Sequence, residues 1–248
     1  MAGRLYGRAP LHLVAIALLA WLISGCGGAP KHTARSTVPR DVPPPTVTHP
    51  TVPTNSNGEI IVPKNARPIY TETGRASWYG PRFQNRHAAN GEIFDMNQLT
   101  AAHRTIPLNS IARVTNVKTG ESVVLRITDR GPFVGDRVID LSKASAQRVG
   151  VYVRGGALVR IDVLQSPAPV RSGGRWCVQI GAFAKAEDAA TLKARLARRY
   201  QTAKVVQFDS PDGGAWVRVR VADDDKRRAE ELIKETKTQA SVFLVRLD

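Results

Sequence analysis

The chain has 248 residues, 42% hydrophobic and 23% charged, a composition that suits one or two globular domains and excludes a wholly disordered, collagen-like or multi-span membrane protein. Lys and Arg outnumber Asp and Glu by 36 to 21, a formal charge of +15, so a polyanion is the expected partner: nucleic acid, anionic lipid or an acidic wall polymer. The two cysteines, Cys26 and Cys177, have no Cys or His neighbours at ligand spacing, which excludes a disulfide scaffold and a zinc signature; no metal and no cofactor is expected.

Residues 1–25 read as a secretory signal peptide. Arg4 and Arg8 occur without an acid, and the run 11–23 is interrupted only by His12. As a helix that run rises about 20 Å against roughly 30 Å of hydrocarbon, so a membrane span is the weaker reading. It ends in Ile23-Ser24-Gly25-Cys26, which resembles the lipobox of bacterial lipoproteins. The resemblance implies lipidation of Cys26, and Gly27 in place of an Asp implies an anchor in the outer membrane, facing the periplasm. Residues 26–69 are expected to be this lipidated Cys and a Pro/Thr-rich linker, since nine of the 16 prolines fall from Pro30 to Pro68 without apolar periodicity. At about 3.1 Å per residue in polyproline geometry, such a tether reaches on the order of 120 Å.

Residues 70–165 read as short strands and turns. Segments 113–117 and 122–128 flank Lys118-Thr119-Gly120-Glu121, a hairpin signal, and 158–164 alternates apolar and polar. One helix is predicted over 143–149, capped by Ser142 and stopped by Gly150. Many strands with one small helix fit a compact barrel better than a parallel α/β sheet. Strict alternation through Val123, Leu125 and Ile127 puts Asp129 on the apolar face at the rim of a core, where desolvation raises a carboxyl pKa and suits it to general acid work. The same position also suits a carboxylate that caps the turn Arg130-Gly131-Pro132 or pairs with Arg130 or Arg137. Taken alone, Glu92 after Asn90-Gly91 is a loop acid and His103 a structural hydrogen-bonder.

Gly74-Arg75-Ala76-Ser77-Trp78-Tyr79-Gly80, Ala89-Asn90-Gly91-Glu92-Ile93-Phe94, Thr100-Ala101-Ala102-His103-Arg104-Thr105, Asp129-Arg130-Gly131-Pro132-Phe133 and Arg137-Val138-Ile139-Asp140-Leu141-Ser142 together resemble the rare lipoprotein A family over residues 74–164. The resemblance implies a double-psi β-barrel, related to expansin-like wall binders, with lytic transglycosylase activity on peptidoglycan. It assigns the catalytic acid to Asp129, with Glu92 and His103 as companions in one groove. Asn85 and Ala88 stand where the family more often has Gly and Thr; Asn tolerates a left-handed backbone, so the fold is expected to survive.

Residues 166–174, with Pro167, Pro169, Gly173 and Gly174, read as a second linker, and 175–248 as a small α+β domain in the order βαββαβ. Trp216, Arg218 and Arg220 share one face of a strand and Val217, Val219 and Val221 the other. The valines are expected under the helices, leaving an aromatic and two cations on an open sheet that could stack bases or sugars. Val178-Gln179-Ile180-Gly181-Ala182-Phe183 and Trp216-Val217-Arg218-Val219-Arg220-Val221 resemble a SPOR domain. That resemblance implies binding of peptidoglycan strands stripped of stem peptides, at division sites, through Gln179, Trp216 and Arg218. Cys177 reads as a small apolar residue, unpaired.

The sequence thus leads to two domains, a double-psi β-barrel followed by a SPOR domain, and to an envelope lyase that cuts the β-1,4 MurNAc-GlcNAc bond to leave 1,6-anhydroMurNAc ends. The partners expected are denuded glycan strands, the membrane through the lipid, and division-site proteins at the septum, but not nucleic acid. The alternative is a noncatalytic, expansin-like wall binder.

Overall fold

The structure, a computed structural model, describes residues 53–56, 59–63, 65–201, 204–209 and 214–248. The expected signal peptide, Cys26 and most of the expected first linker lie outside them. What is described of that linker is not featureless: Thr54 bridges Ile60, and Glu59 pairs with Arg148 at 2.7 Å.

Six strands close a barrel: β1 (Tyr70–Trp78), β2 (Thr100–His103), β3 (Ile111–Asn116), β4 (Ser122–Asp129), β5 (Arg137–Leu141) and β6 (Ala157–Gln165), in the order β1-β5-β2-β4-β3-β6. β1 is parallel to β5 and β2 to β4, while the other pairs are antiparallel. Two parallel pairs in one small barrel require crossing connections, a topology that alternation alone does not reveal. Inward positions meet in one core that includes Val114, Leu125, Ile127, Ile139, Leu141, Val159, Ile161 and Val163. Helix α1 (Lys143–Arg148) is capped by Ser142, whose side chain accepts from the Ser145 amide, and Gly150 follows it at φ 64°.

A second sheet has the order β10-β7-β9-β8, all antiparallel, from β7 (Trp176–Phe183), β8 (Lys204–Asp209), β9 (Ala215–Arg220) and β10 (Ser241–Arg246). Helices α2 (Ala186–Arg199) and α3 (Lys226–Glu235) supply Ala189, Leu192, Leu196, Ala229 and Leu232 to a core with Val178, Ile180, Val217 and Val219. The valines of β9 therefore lie under the helices, as their parity predicts. Cys177 is buried in β7 with a free thiol, and burial pushes its pKa up to about 11.

Barrel and sheet belong to one compact unit, Val47–Asp248. The connection 166–174 is held rather than loose: the Pro169 carbonyl accepts from Arg246 Nη1 at 2.7 Å, and the Arg171 guanidinium lies 5.1 Å over the Tyr70 ring. The expectation of an open sheet face is corrected. Trp216 is 3% exposed and Gln179 2%. Phe133 of the barrel lies 5.7 Å from the ring centroids of both Trp216 and Phe243, and the Arg104 guanidinium sits 5.5 Å over Phe243. Alternation assigned these residues to the correct face but carries no information about what covers it.

Candidate active site

The site begins with an irregularity in β4. Along β2, Thr100 faces Arg126 and Ala101 faces Ile127, but Ala102 faces Asp129, so the register slips at Thr128. Leu125 and Ile127 point into the barrel core with Ala101, whereas Ala102 belongs to a separate cluster with Tyr79 and Phe94. The bulge therefore turns Asp129 away from the interior face that strict alternation assigns to it and toward the side of Ala102, a re-aiming that bulges provide beside functional sites. The residue that sequence parity singled out reaches the rim by a different route.

There the Asp129 Oδ1 accepts two main-chain hydrogen bonds, from Ala89 at 3.0 Å and Arg130 at 2.8 Å. Burial pushes its pKa up; the two amides and the Arg130 charge pull it back without cancelling the rise, so it stays above the ordinary aspartate value. Both bonds fall on one oxygen, and among the described residues none reaches Oδ2. Asp129 can thus present a proton on one oxygen while the other fixes its orientation.

The loop that supplies the Ala89 amide is itself fastened to β4. Asn90 donates its amide to the Thr128 carbonyl at 3.1 Å, the Asn90 side chain accepts from the Glu92 amide at 3.1 Å, and Ala88 donates to the Glu92 carbonyl at 2.8 Å. Asn85 takes φ 63°, the left-handed backbone its residue type permits. Glu92 closes the loop through a fork-to-fork pair with Arg126, Nη1 to Oε1 at 2.5 Å and Nη2 to Oε2 at 2.7 Å, and Arg126 Nη1 reaches Asn109 Oδ1 at 3.3 Å. Both side chains are about three-quarters buried and line a shallow cleft with Phe94, Gln98, Thr100 and Thr128. Sequence reasoning missed Arg126 and Asn109. The signal for Arg126 was available: it is the polar position between Leu125 and Ile127, hence on the outer face of β4.

His103 is placed differently from the expectation of a groove companion. It is 2% exposed, and its Nδ1 accepts from the amides of Thr105 at 3.1 Å and Ile106 at 3.0 Å. Nε2 lies 3.2 Å from Glu72 Oε2, and the Tyr70 hydroxyl donates to that same oxygen at 2.9 Å. Accepting two N–H groups requires the Nδ1 lone pair, which leaves the proton on Nε2. Burial lowers the imidazole pKa despite the pull of Glu72, so the ring is neutral, with Nδ1 occupied by two amides and Nε2 facing the Glu72 carboxylate. The structure brings Asp129 and Glu92 to one side of β4 and gives His103 the role of holding the 103–106 turn.

A bulged six-stranded barrel with an outward carboxylic acid, followed by a βαββαβ sheet, defines a double-psi β-barrel joined to a SPOR domain. The family model described as a lytic transglycolase matches residues 71–161, and that of the SPOR domain matches 172–246. The endolytic peptidoglycan transglycosylase RlpA of Neisseria meningitidis serogroup B is 43% identical over 145 residues, 58% of this chain and 61% of its own length. The protein of that name from Campylobacter jejuni is 36% identical over 186 residues, 65% of this chain and 67% of its own. The chain belongs to the RlpA family, and it spans about three-fifths to two-thirds of the length of these relatives. The crystal structure of apo-expansin from Clavibacter michiganensis overlaps 71% of this chain and 86% of its own at 13% identity and a TM-score of 0.33.

The His103 geometry gives an expected outcome. His103→Ala leaves the Thr105 and Ile106 amides without their acceptor and lowers stability by about 2 to 4 kcal/mol, read by denaturant unfolding. Because the folded imidazole pKa lies below its unfolded value of 6.5, the unfolded chain takes up the proton first; wild-type stability falls as pH drops through that value, and the variant loses this component of the slope. A variant as stable as wild type, with the same pH slope, would contradict a structural role for His103.

Proposed function

We propose that this chain is a lytic transglycosylase that cleaves the β-1,4 bond following N-acetylmuramic acid in peptidoglycan, with Asp129 as its acid and base. The observation that carries the reading is an aspartate whose pKa is raised by burial and whose Oδ1 is fixed by two amides on the outer face of the barrel. Protonated Asp129 gives its proton to the bridging O4 as the C1–O4 bond breaks. The muramyl 6-hydroxyl then bonds to C1, closing the 1,6-anhydro ring, and the Asp129 carboxylate takes the hydroxyl proton. Proton count and charge are restored without water, so a single carboxyl suffices where hydrolysis calls for a pair. Glu92, neutralised by Arg126, serves as a positioning residue: it closes the loop whose Ala89 amide orients Asp129. Support also comes from the names of the RlpA relatives, endolytic peptidoglycan transglycosylases.

The second domain is read as the part that recognises glycan strands lacking stem peptides, through Gln179, Trp216 and Arg218, and that concentrates the enzyme at the division septum with its protein partners. Residues 1–26 are read as a lipoprotein signal ending at a lipidated Cys26, with the anchor in the outer membrane facing the periplasm. The supporting observation is an apolar run too short to span and ending in Ile-Ser-Gly-Cys.

Two outcomes check these readings. Mass spectrometry of material released from denuded sacculi shows 1,6-anhydro ends with wild type and none with Asp129→Asn. Because the folded Asp129 pKa lies above its unfolded value of 3.8, stability is lost as pH rises from that value through the folded one, so the Asn variant melts no lower than wild type at pH 7 and the two converge below 3.8. Undiminished product from well-folded Asp129→Asn would remove Asp129 as the acid, and sacculus binding without soluble anhydro products by wild type would favour a noncatalytic binder. Separately, Cys26→Ala moves the protein from the membrane to the soluble fraction; unmodified Cys26 in the mature wild-type protein would contradict the anchor.

A further inference from the structure

The face of β7, β9 and β10 that turns away from the helices carries Gln179, Trp216, Arg218 and Phe243, aromatic platforms flanked by hydrogen-bonding side chains, a combination suited to sugar rings. In this chain the face has an occupant of its own. Phe133, four residues after Asp129, sits against both Trp216 and Phe243, and the face is closed to solvent at Trp216 and Gln179.

The covering contact leaves polar groups unsatisfied. The Trp216 indole Nε1 and the Arg218 Nε are buried with no hydrogen-bond partner, although Arg218 Nη2 reaches Gln179 Oε1 at 2.9 Å. An apolar phenyl ring cannot accept from either donor in the way an oxygen does, and a buried unpaired donor is a cost that the closed contact carries. A polyhydroxylated chain lying across the same aromatic rings would supply acceptors to both. Other ties join barrel and sheet away from that ring: Arg246 N donates to the Arg104 carbonyl at 3.0 Å, Leu108 N donates to the Asp248 main-chain oxygen at 3.3 Å, and the Arg130 side chain reaches the same Asp248 oxygen. The Phe133 contact can thus be lost while those main-chain ties remain.

We propose that the barrel turn carrying Phe133 is an internal competitor for the sugar-recognising face of the second domain, so that a denuded glycan strand binds this face only by displacing Phe133 from Trp216 and Phe243. The identity of the ligand rests on the glycan-binding reading above; the occlusion rests on the contacts alone. Because the displaced turn begins at Asp129, occupancy of the second domain and freedom of the turn beside the acid are linked. Glycan-free protein holds the Phe133 ring against the sheet, and glycan-bound protein releases it, while the Arg130 bonds keep the start of the turn in place.

The apparent dissociation constant of a site that must open is its intrinsic constant divided by the fraction open. If one molecule in about ten is open, removing the occupant tightens binding by about tenfold. The test compares the full chain as wild type, Phe133→Ala and Phe133→Leu, using purified glycan strands freed of stem peptides, with hydroxyl-radical footprinting of Trp216 and Phe243 in the absence of glycan. The expected result is stronger labelling of both rings and about tenfold tighter binding for Phe133→Ala. Phe133→Leu should change both quantities in the same direction by less, which keeps the test decisive should the alanine variant melt. Equal or weaker glycan binding by the folded variants, or unchanged labelling of Trp216, would overturn the proposal while leaving glycan recognition intact. Failure of wild type and both variants to bind glycan, with labelling raised, would overturn the glycan reading and the competition with it.

Discussion

Arg130 is the residue on which the arrangement depends. Its amide holds Asp129 Oδ1, while its guanidinium donates through Nη1 to the carbonyls of His103 at 3.0 Å and Ile106 at 2.7 Å, and through Nη2 to the main-chain oxygen of Asp248. One side chain therefore joins the acid, the turn behind it and the end of the second domain. Burial pushes the guanidinium pKa down to about 10, which still leaves it charged at neutral pH, and a buried charge must be met by hydrogen bonds. The carbonyls that meet it become part of a rigid frame. His103 belongs to the same frame: its Nδ1 fixes the amides of Thr105 and Ile106, the turn whose carbonyls receive Arg130.

This frame separates two carboxylates that look similar in the sequence. Glu92 is bound at both oxygens by one guanidinium, a bidentate charge-assisted pairing that fixes its position. Asp129 accepts hydrogen bonds only from main-chain amides, and burial raises its pKa against their pull and that of the Arg130 charge. An acid that must both give and take a proton needs the second environment, whereas one that holds a loop in place is served by the first.

Much of the architecture was legible because it follows from local rules. Alternation in β6 and β9, the Ser142 cap and the Gly120 turn report the chain's immediate neighbourhood, and the five ordered motifs identified the barrel by resemblance. What was illegible depended on distant partners. The slip at Thr128 arises from the pairing of β4 with β2, so no reading of β4 alone could find it. His103, a structural hydrogen-bonder when read alone and a groove companion by resemblance, has its buried partner in Glu72, 31 positions away, which no local pattern announces. Trp216 was correctly assigned to its face, but its cover comes from Phe133, 83 positions away in the same chain. The expected linker 166–174 is likewise pinned by Arg246, a long-range contact that its Pro and Gly content does not announce.

The central claim is that desolvation holds the Asp129 carboxyl above the ordinary aspartate value, so that its protonated form persists to higher pH than that of an exposed aspartate. Site-resolved carboxyl 13C NMR of the full chain, titrated with pH and assigned through Asp129→Asn, tests this most directly. The account predicts a midpoint for Asp129 above the ordinary value of 3.8. A midpoint at or below 3.8 would mean that the Ala89 and Arg130 amides outweigh burial, and that Asp129 is a held carboxylate rather than an acid.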